Sequence, residues 1–138
     1  MSTPCILVVD DNPTNLKLVS DVLAFDGYRI LKAVDAEEAL SLIQKCPPDL
    51  ILTDIALPGM DGLTMTRLLK DDPKTRHIPV VALTAFAMKG DDQKAQVAGC
   101  DGYITKPIDT RKISSQVAEF LAGAGVATNE DKLENPRD

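Results

Sequence analysis

The sequence predicts an α/β protein: a doubly wound sheet of five parallel strands with helices on both faces. Three observations lead there. Short, apolar, β-branched runs recur along the chain, as strands buried on both faces require. Stretches with apolar residues at helical spacing alternate with those runs. Capping and helix-stopping residues stand at the boundaries between the two. Strands that alternate with helices pair in parallel through right-handed crossovers.

The elements follow in order. CILVV (residues 5–9) is wholly apolar and is ended by Asp10 and Asp11, which makes it the first strand. In NPTNLKLVSDVLAFDG, Asn12 or Asp11 can cap a helix, Pro13 suits its first turn and Gly27 stops it. Leu16, Val19, Val22 and Leu23 share one face of that helix. YRILKAV (28–34) is the second strand. DAEEALSLIQKC (35–46) is a helix capped by Asp35, with Ala39, Leu40 and Ile43 inward and Pro47–Pro48 ending it. DLILT (49–53) is the third strand, GLTMTRLLKDD (62–72) the third helix and IPVVALT (78–84) the fourth strand. AMKGDDQKAQVAG (87–99) is a weaker helix, interrupted by Gly90 and ended by Gly99. GYIT (102–105) is the fifth strand, and DTRKISSQVAEFLAG (109–123) the fifth helix, with Ile113, Val117, Phe120 and Leu121 inward. Residues 124–138, AGVATNEDKLENPRD, lose the apolar period and read as a frayed or disordered acidic tail, leaving residues 1–123 as the folded domain.

Composition agrees. The 138 residues suit one domain, and 44% hydrophobic with 26% charged residues suits a globular protein with a core. The net charge of -6 argues against bulk binding to nucleic acid or anionic membranes, and by itself signifies no more than solubility. Cys5, Cys46 and Cys100 lack metal-type spacing and read as small buried residues of a reducing compartment. The N-terminus has no basic region of a secretory leader, and no stretch approaches the ~20 apolar residues of a membrane span. A cytoplasmic protein is expected.

In doubly wound sheets, ligands sit beyond the carboxyl ends of the strands. At those ends this sequence puts Asp10–Asp11, Asp54, Thr84 and Lys106–Pro107. Three carboxylates from neighbouring strands repel unless a cation joins them. A hard dication with oxygen ligands, Mg²⁺ above all, resolves the conflict. An ammonium and a hydroxyl beside it are what phosphoryl oxygens require. Each residue also has an ordinary explanation. Asp10 or Asp11 can cap the first helix, Asp54 can serve the turn before PGMDG, Thr84 can cap a helix, and a lone Lys106 is most often a solvated lysine. His77, the only histidine, reads as an exposed loop residue. It is the coincidence of four strand ends bearing complementary chemistry that lifts the set.

LVVDDN, LTDIALPGMDG, VVALTAFA and YITKP resemble, in order and spacing, the receiver domains of bacterial two-component response regulators. The likeness runs from about residue 4 to 122. It implies a flavodoxin-like (βα)5 fold and a role for each matching position. Asp54 matches the phosphoacceptor. Asp11 and Asp10 match the acidic pair that holds Mg²⁺, and Ala56 the position whose backbone carbonyl completes the protein's metal ligands. Thr84 matches the hydroxyl that turns toward the phosphoryl group, Lys106 the phosphate-binding lysine, with a cis bond to Pro107, and Tyr103 the aromatic that moves with the switch. The tract IPVVALTAFAMKGD is similar both to single-domain regulators of the DivK type and to receivers attached to hybrid kinases.

The resemblance implies phosphoryl transfer from a histidine kinase or histidine phosphotransfer protein to Asp54. Output would be a contact with a downstream protein through the face of the fourth helix, fifth strand and fifth helix, or onward relay of the phosphoryl group; neither nucleic acid nor membrane is implied. Such a domain is a phosphoacceptor rather than an enzyme with a separate substrate. The expected form is a free-standing single-domain regulator; the alternative is an excised receiver of a hybrid kinase. Two further classes rank lower. An aspartyl-phosphate phosphatase usually wants an acid two residues past its nucleophile, where this chain has Ala56. A receiver-like module that works without phosphorylation would not need the full set of acids, Thr84 and Lys106.

Overall fold

A computed structural model describes residues 3–84, 99–105 and 108–123. Its described elements are β1 (Cys5–Val9), α1 (Pro13–Phe25), β2 (Arg29–Ala33), α2 (Ala36–Lys45), β3 (Leu50–Asp54), α3 (Gly62–Asp71), β4 (Val80–Thr84), β5 (Gly102–Thr105) and α4 (Ile113–Gly123). The helix expected over 87–99 and the tail at 124–138 lie outside the described residues, as do Lys106 and Pro107.

The five strands form one parallel sheet in the order β2-β1-β3-β4-β5. Strand order reverses between β1 and β3, the crevice where such sheets build sites. The expected doubly wound flavodoxin-like sheet is therefore present, and helices cover both faces. On one side α1 supplies Leu16, Val19 and Leu23, and α4 supplies Ile113, Val117 and Leu121; they meet Ile6, Val8, Leu50, Leu52, Val81, Leu83 and Ile104. On the other, α2 supplies Ala36, Ala39 and Ile43, and α3 Met65 and Leu69; they meet Leu7, Val9, Ile51 and Val80. Successive strand residues point to opposite faces, so β1 and β3 feed both cores at once. That is why their sequences are apolar without alternation.

Caps explain the helix starts. Asn12 caps α1, its Oδ1 accepting from Thr14 N at 2.9 Å and Asn15 N at 3.1 Å. Asp35 caps α2 through Glu38 N at 2.8 Å, and Glu38 returns a bond to Val34 N at 2.9 Å. This reciprocal pair satisfies two backbone donors. Asp61 caps α3 through Thr64 N at 2.8 Å. The last helix starts at Ile113, four residues later than the pattern suggested. Asp109 turns its carboxylate onto Arg111 N at 2.9 Å, closing a side-chain turn ahead of the helix.

The amino ends of β4 and β5 are tied by one lysine. Lys70 Nζ on α3 donates to Arg76 O at 3.1 Å and Ile78 O at 2.8 Å and pairs with Asp101 Oδ2 at 3.0 Å. The same carboxylate oxygen accepts from Val80 N at 2.8 Å. Cys5 is buried as expected, but Cys46 and Cys100 are only half-buried; all three are free thiols. Burial pushes the thiols of Cys5 and Cys100 above their ordinary value. Among the described residues no helix is long and apolar enough to cross a membrane.

Leu52 is fully buried at the centre of the sheet. Its replacement by alanine deletes buried methyl groups and leaves a cavity. Leu52→Ala is expected to cost about 2–5 kcal/mol. In urea denaturation the midpoint falls while the slope is kept.

Candidate functional site

Register brings the acids together. Val9 on β1 lies opposite Thr53 on β3. The next residues on these adjacent strands are Asp10 and Asp54, so both carboxylates emerge at one level at the crevice. Asp11 follows Asp10 and completes the group: one carboxylate oxygen from each of Asp10, Asp11 and Asp54 lies within 4.8 Å of the others. Asp10 is 1% exposed and Asp54 9%, whereas Asp11 is open to solvent. Two unit charges at such a separation repel by ~1 kcal/mol in bulk water and by several times that in less polar surroundings.

Local backbone groups orient the acids. Asp10 Oδ1 accepts from Asn12 N at 2.9 Å, and Asp10 N donates to Ala33 O at 3.1 Å. Asp54 Oδ1 accepts from Ala56 N at 3.3 Å. Because Asn12 takes the capping role on α1, neither Asp10 nor Asp11 is spent on it. The donor set is all oxygen, anionic, half-buried and open on the Asp11 side. That chemistry fits a hard dication that keeps part of its water shell. Ala56 is exposed in the loop two residues past Asp54.

The remaining expected residues fall as follows. Thr84 ends β4, one step beyond Leu83, which pairs with Asp54. Thr105 pairs with Thr84 at the end of β5, and Lys106 is the next residue in the chain, outside the described ones. Tyr103 is on β5 and 41% exposed. His77 is exposed, as expected of a loop residue. Two features of the site escaped the sequence reading. The Thr53 hydroxyl donates to Asp54 O at 3.1 Å. Gly62, the first residue of α3, packs against the same carbonyl, where an added Cβ would stand 2.2 Å from the oxygen. A threonine inside an apolar strand, and a glycine where a helix begins, were the available signals.

Fold, crevice and acidic cluster together define a class. The model of the response regulator receiver domain matches residues 6–118, and the chain belongs to that family. Among curated proteins it is similar to the polar-differentiation response regulator DivK of Brucella ovis, 43% identical over 122 residues, which cover 88% of this chain and 99% of that protein. Among solved structures it is similar to a CheY-like response regulator receiver domain protein from Methanospirillum hungatei (TM-score 0.82, 29% identity, 89% of this chain and 97% of that one). It is also similar to the receiver domain of a sensor histidine kinase from Pseudomonas aeruginosa (TM-score 0.81, 30% identity, 88% and 99%), which was solved with a magnesium ion coordinated in its active-site cleft.

The loop that follows Asp54 ends at the α3 cap, and that cap is pH-sensitive. The bond from Thr64 N–H holds the Asp61 carboxyl below its ordinary value of 3.8, with Arg67 assisting. A depressed carboxyl contributes stability above its unfolded-state pKa and loses it as pH falls through the folded-state value. Asp61→Asn keeps a capping oxygen but cannot titrate. The stability difference between wild type and Asp61→Asn, read from denaturation at a series of pH values, is therefore expected to be constant near neutrality and to change only below about pH 4.

Proposed function

We propose that this chain accepts a phosphoryl group on Asp54 from a phosphohistidine of a histidine kinase or histidine phosphotransfer protein. The observation that carries the reading is the meeting of the Asp10, Asp11 and Asp54 carboxylates at the strand-order switch. Residues 1–123 form the receiver unit in this reading, acting in the cytoplasm.

Each residue has a part. Asp10, Asp11, Asp54 and the carbonyl of Ala56 would hold Mg²⁺. The bound ion supplies positive charge against the phosphoryl oxygens and offsets the repulsion among the acids. Asp54 attacks phosphorus in line; the new P–O bond forms as the P–N bond to the donor imidazole breaks, leaving an acyl phosphate. Asp54 is suited to this by its position: it is anchored in a buried strand and its Oδ1 is held by Ala56 N. Lys106 balances charge on the phosphoryl group. Thr84 turns toward a phosphoryl oxygen and Tyr103 follows, shifting a pre-existing equilibrium on the face that includes β5 and α4. That face then contacts a downstream protein, or the phosphoryl group passes on to another histidine. The similarity to DivK and to a kinase receiver with bound magnesium supports the reading.

Incubation with Mg²⁺ and acetyl phosphate, read by intact mass, tests it. A single phospho-adduct is expected; turnover of many phosphomonoesters, or inertness, would count against it. Asp54→Asn is expected to take up no phosphate. In Mg²⁺-free buffer its stability is expected to hold or rise, because one of three crowded like charges is gone. Asp11→Ala is expected to weaken Mg²⁺ binding and phosphate uptake together. Unchanged metal affinity in a titration followed by thermal shift would remove Asp11 from the ligand set.

A further inference from the structure

We infer that Thr53 and Gly62 are positioning residues for the Asp54 carboxylate, acting through the peptide that joins Asp54 to Ile55. The inference rests on Asp54 being the phosphoacceptor and goes beyond it, to what holds the nucleophile in place.

Thr53 is 1% exposed and follows three apolar residues in β3. A buried hydroxyl costs free energy unless it is bonded, and valine would fill the same space without that cost. Among the described residues the Thr53 hydroxyl donates to the Asp54 carbonyl oxygen, at 3.1 Å. Against the same carbonyl lies Gly62. Its φ is not positive, so its backbone conformation does not call for glycine. What calls for glycine is space: an added Cβ would meet Asp54 O at 2.2 Å, Asp54 C at 3.1 Å and Ile55 Cα at 3.2 Å. Gly62 N also donates to Ile55 O at 2.9 Å, and Leu57 N donates to that oxygen at 3.1 Å.

The Asp54–Ile55 peptide is thus held at its carbonyl by a hydroxyl and a bare α-carbon, while two N–H groups hold the following peptide at Ile55 O. The former is attached to the Cα that carries the nucleophilic carboxylate. Tilting this peptide swings the carboxylate relative to Asp10 and Asp11. The two N–H bonds to Ile55 O fix the peptide that enters Ala56, the residue whose carbonyl is proposed as a metal ligand. In-line attack is sensitive to small misplacements of the nucleophile, and here the backbone behind it is fixed on each side.

The test uses the full chain with Mg²⁺ and acetyl phosphate, initial rates being read by intact mass as a function of donor concentration. Thr53→Val removes the hydroxyl and keeps the shape. It is expected to lower the maximal rate roughly three- to tenfold, with the donor concentration for half-maximal rate unchanged. Thr53→Ser keeps the hydroxyl and is expected to restore the rate. Gly62→Ala is expected to lose on the order of a hundredfold. A purely structural role would shift the melting temperature of Thr53→Val but leave its rate, measured well below melting, at the wild-type value. That result, or a Thr53→Ser variant as slow as Thr53→Val, overturns the positioning role. If Gly62→Ala does not fold, the valine and serine pair decides. A wild type that takes up no phosphate overturns the proposed function itself, and the positioning role with it.

Discussion

The pairing of β1 with β3 is the constraint on which the site depends. Val9 faces Thr53, and only in that register do Asp10 and Asp54 leave the sheet side by side. Apolar packing enforces it. A slip of one residue would turn Ile6 and Val8 toward the layer that now receives Leu7 and Val9, and exchange the occupants of both cores. A slip of two would keep the faces but part the carboxylates by about 6–7 Å, two strand residues at ~3.3 Å each. Burial of leucine, isoleucine and valine thus offsets the repulsion of a like-charge cluster that no isolated loop would hold together.

The acids of this chain divide by what their oxygens face. Asp35 and Asp61 face the open N–H groups of helix starts. Asp49 accepts from Cys5 N at 2.7 Å and sets where β3 begins beside β1. Asp101 faces Lys70 and the first N–H of β4. Asp10, Asp11 and Asp54 instead face one another. The first four lower the energy of the fold locally. The last three crowd like charge together, a repulsion that a bound cation would offset.

Much of this was legible in the sequence because the physics is local. Strands buried on both faces are short unbroken apolar runs, and β1, β3 and β5 fall within a residue of where the runs placed them. The cap Asp35 was readable from residue type and offset, and Asn12 was one of two candidates, with Asp11, for the cap of α1. The late start of the last helix was not, because Asp109 is as able to close a turn as to begin a helix, and Arg111 N decides it. Thr53 and Gly62 were harder to read, for a different reason. One acts through a bond to its neighbour's carbonyl, the other through an atom it lacks, and neither leaves a period in the sequence. A helix-forming residue such as alanine would suit the first turn of α3 better than glycine; only the Asp54 carbonyl 2.2 Å from the would-be Cβ explains the choice.

The sheet separates two apolar layers that share no side chain among the described residues, α1 and α4 on one side, α2 and α3 on the other. Substitutions that do not touch do not couple. Drift in the helices of one layer is then screened by that layer alone, and a change at Val19 or Val117 makes no demand on Ala39 or Met65. Such a molecule can vary one outer surface across a lineage, and so alter what it docks against, while the opposite surface and the strand ends between them stay under separate selection.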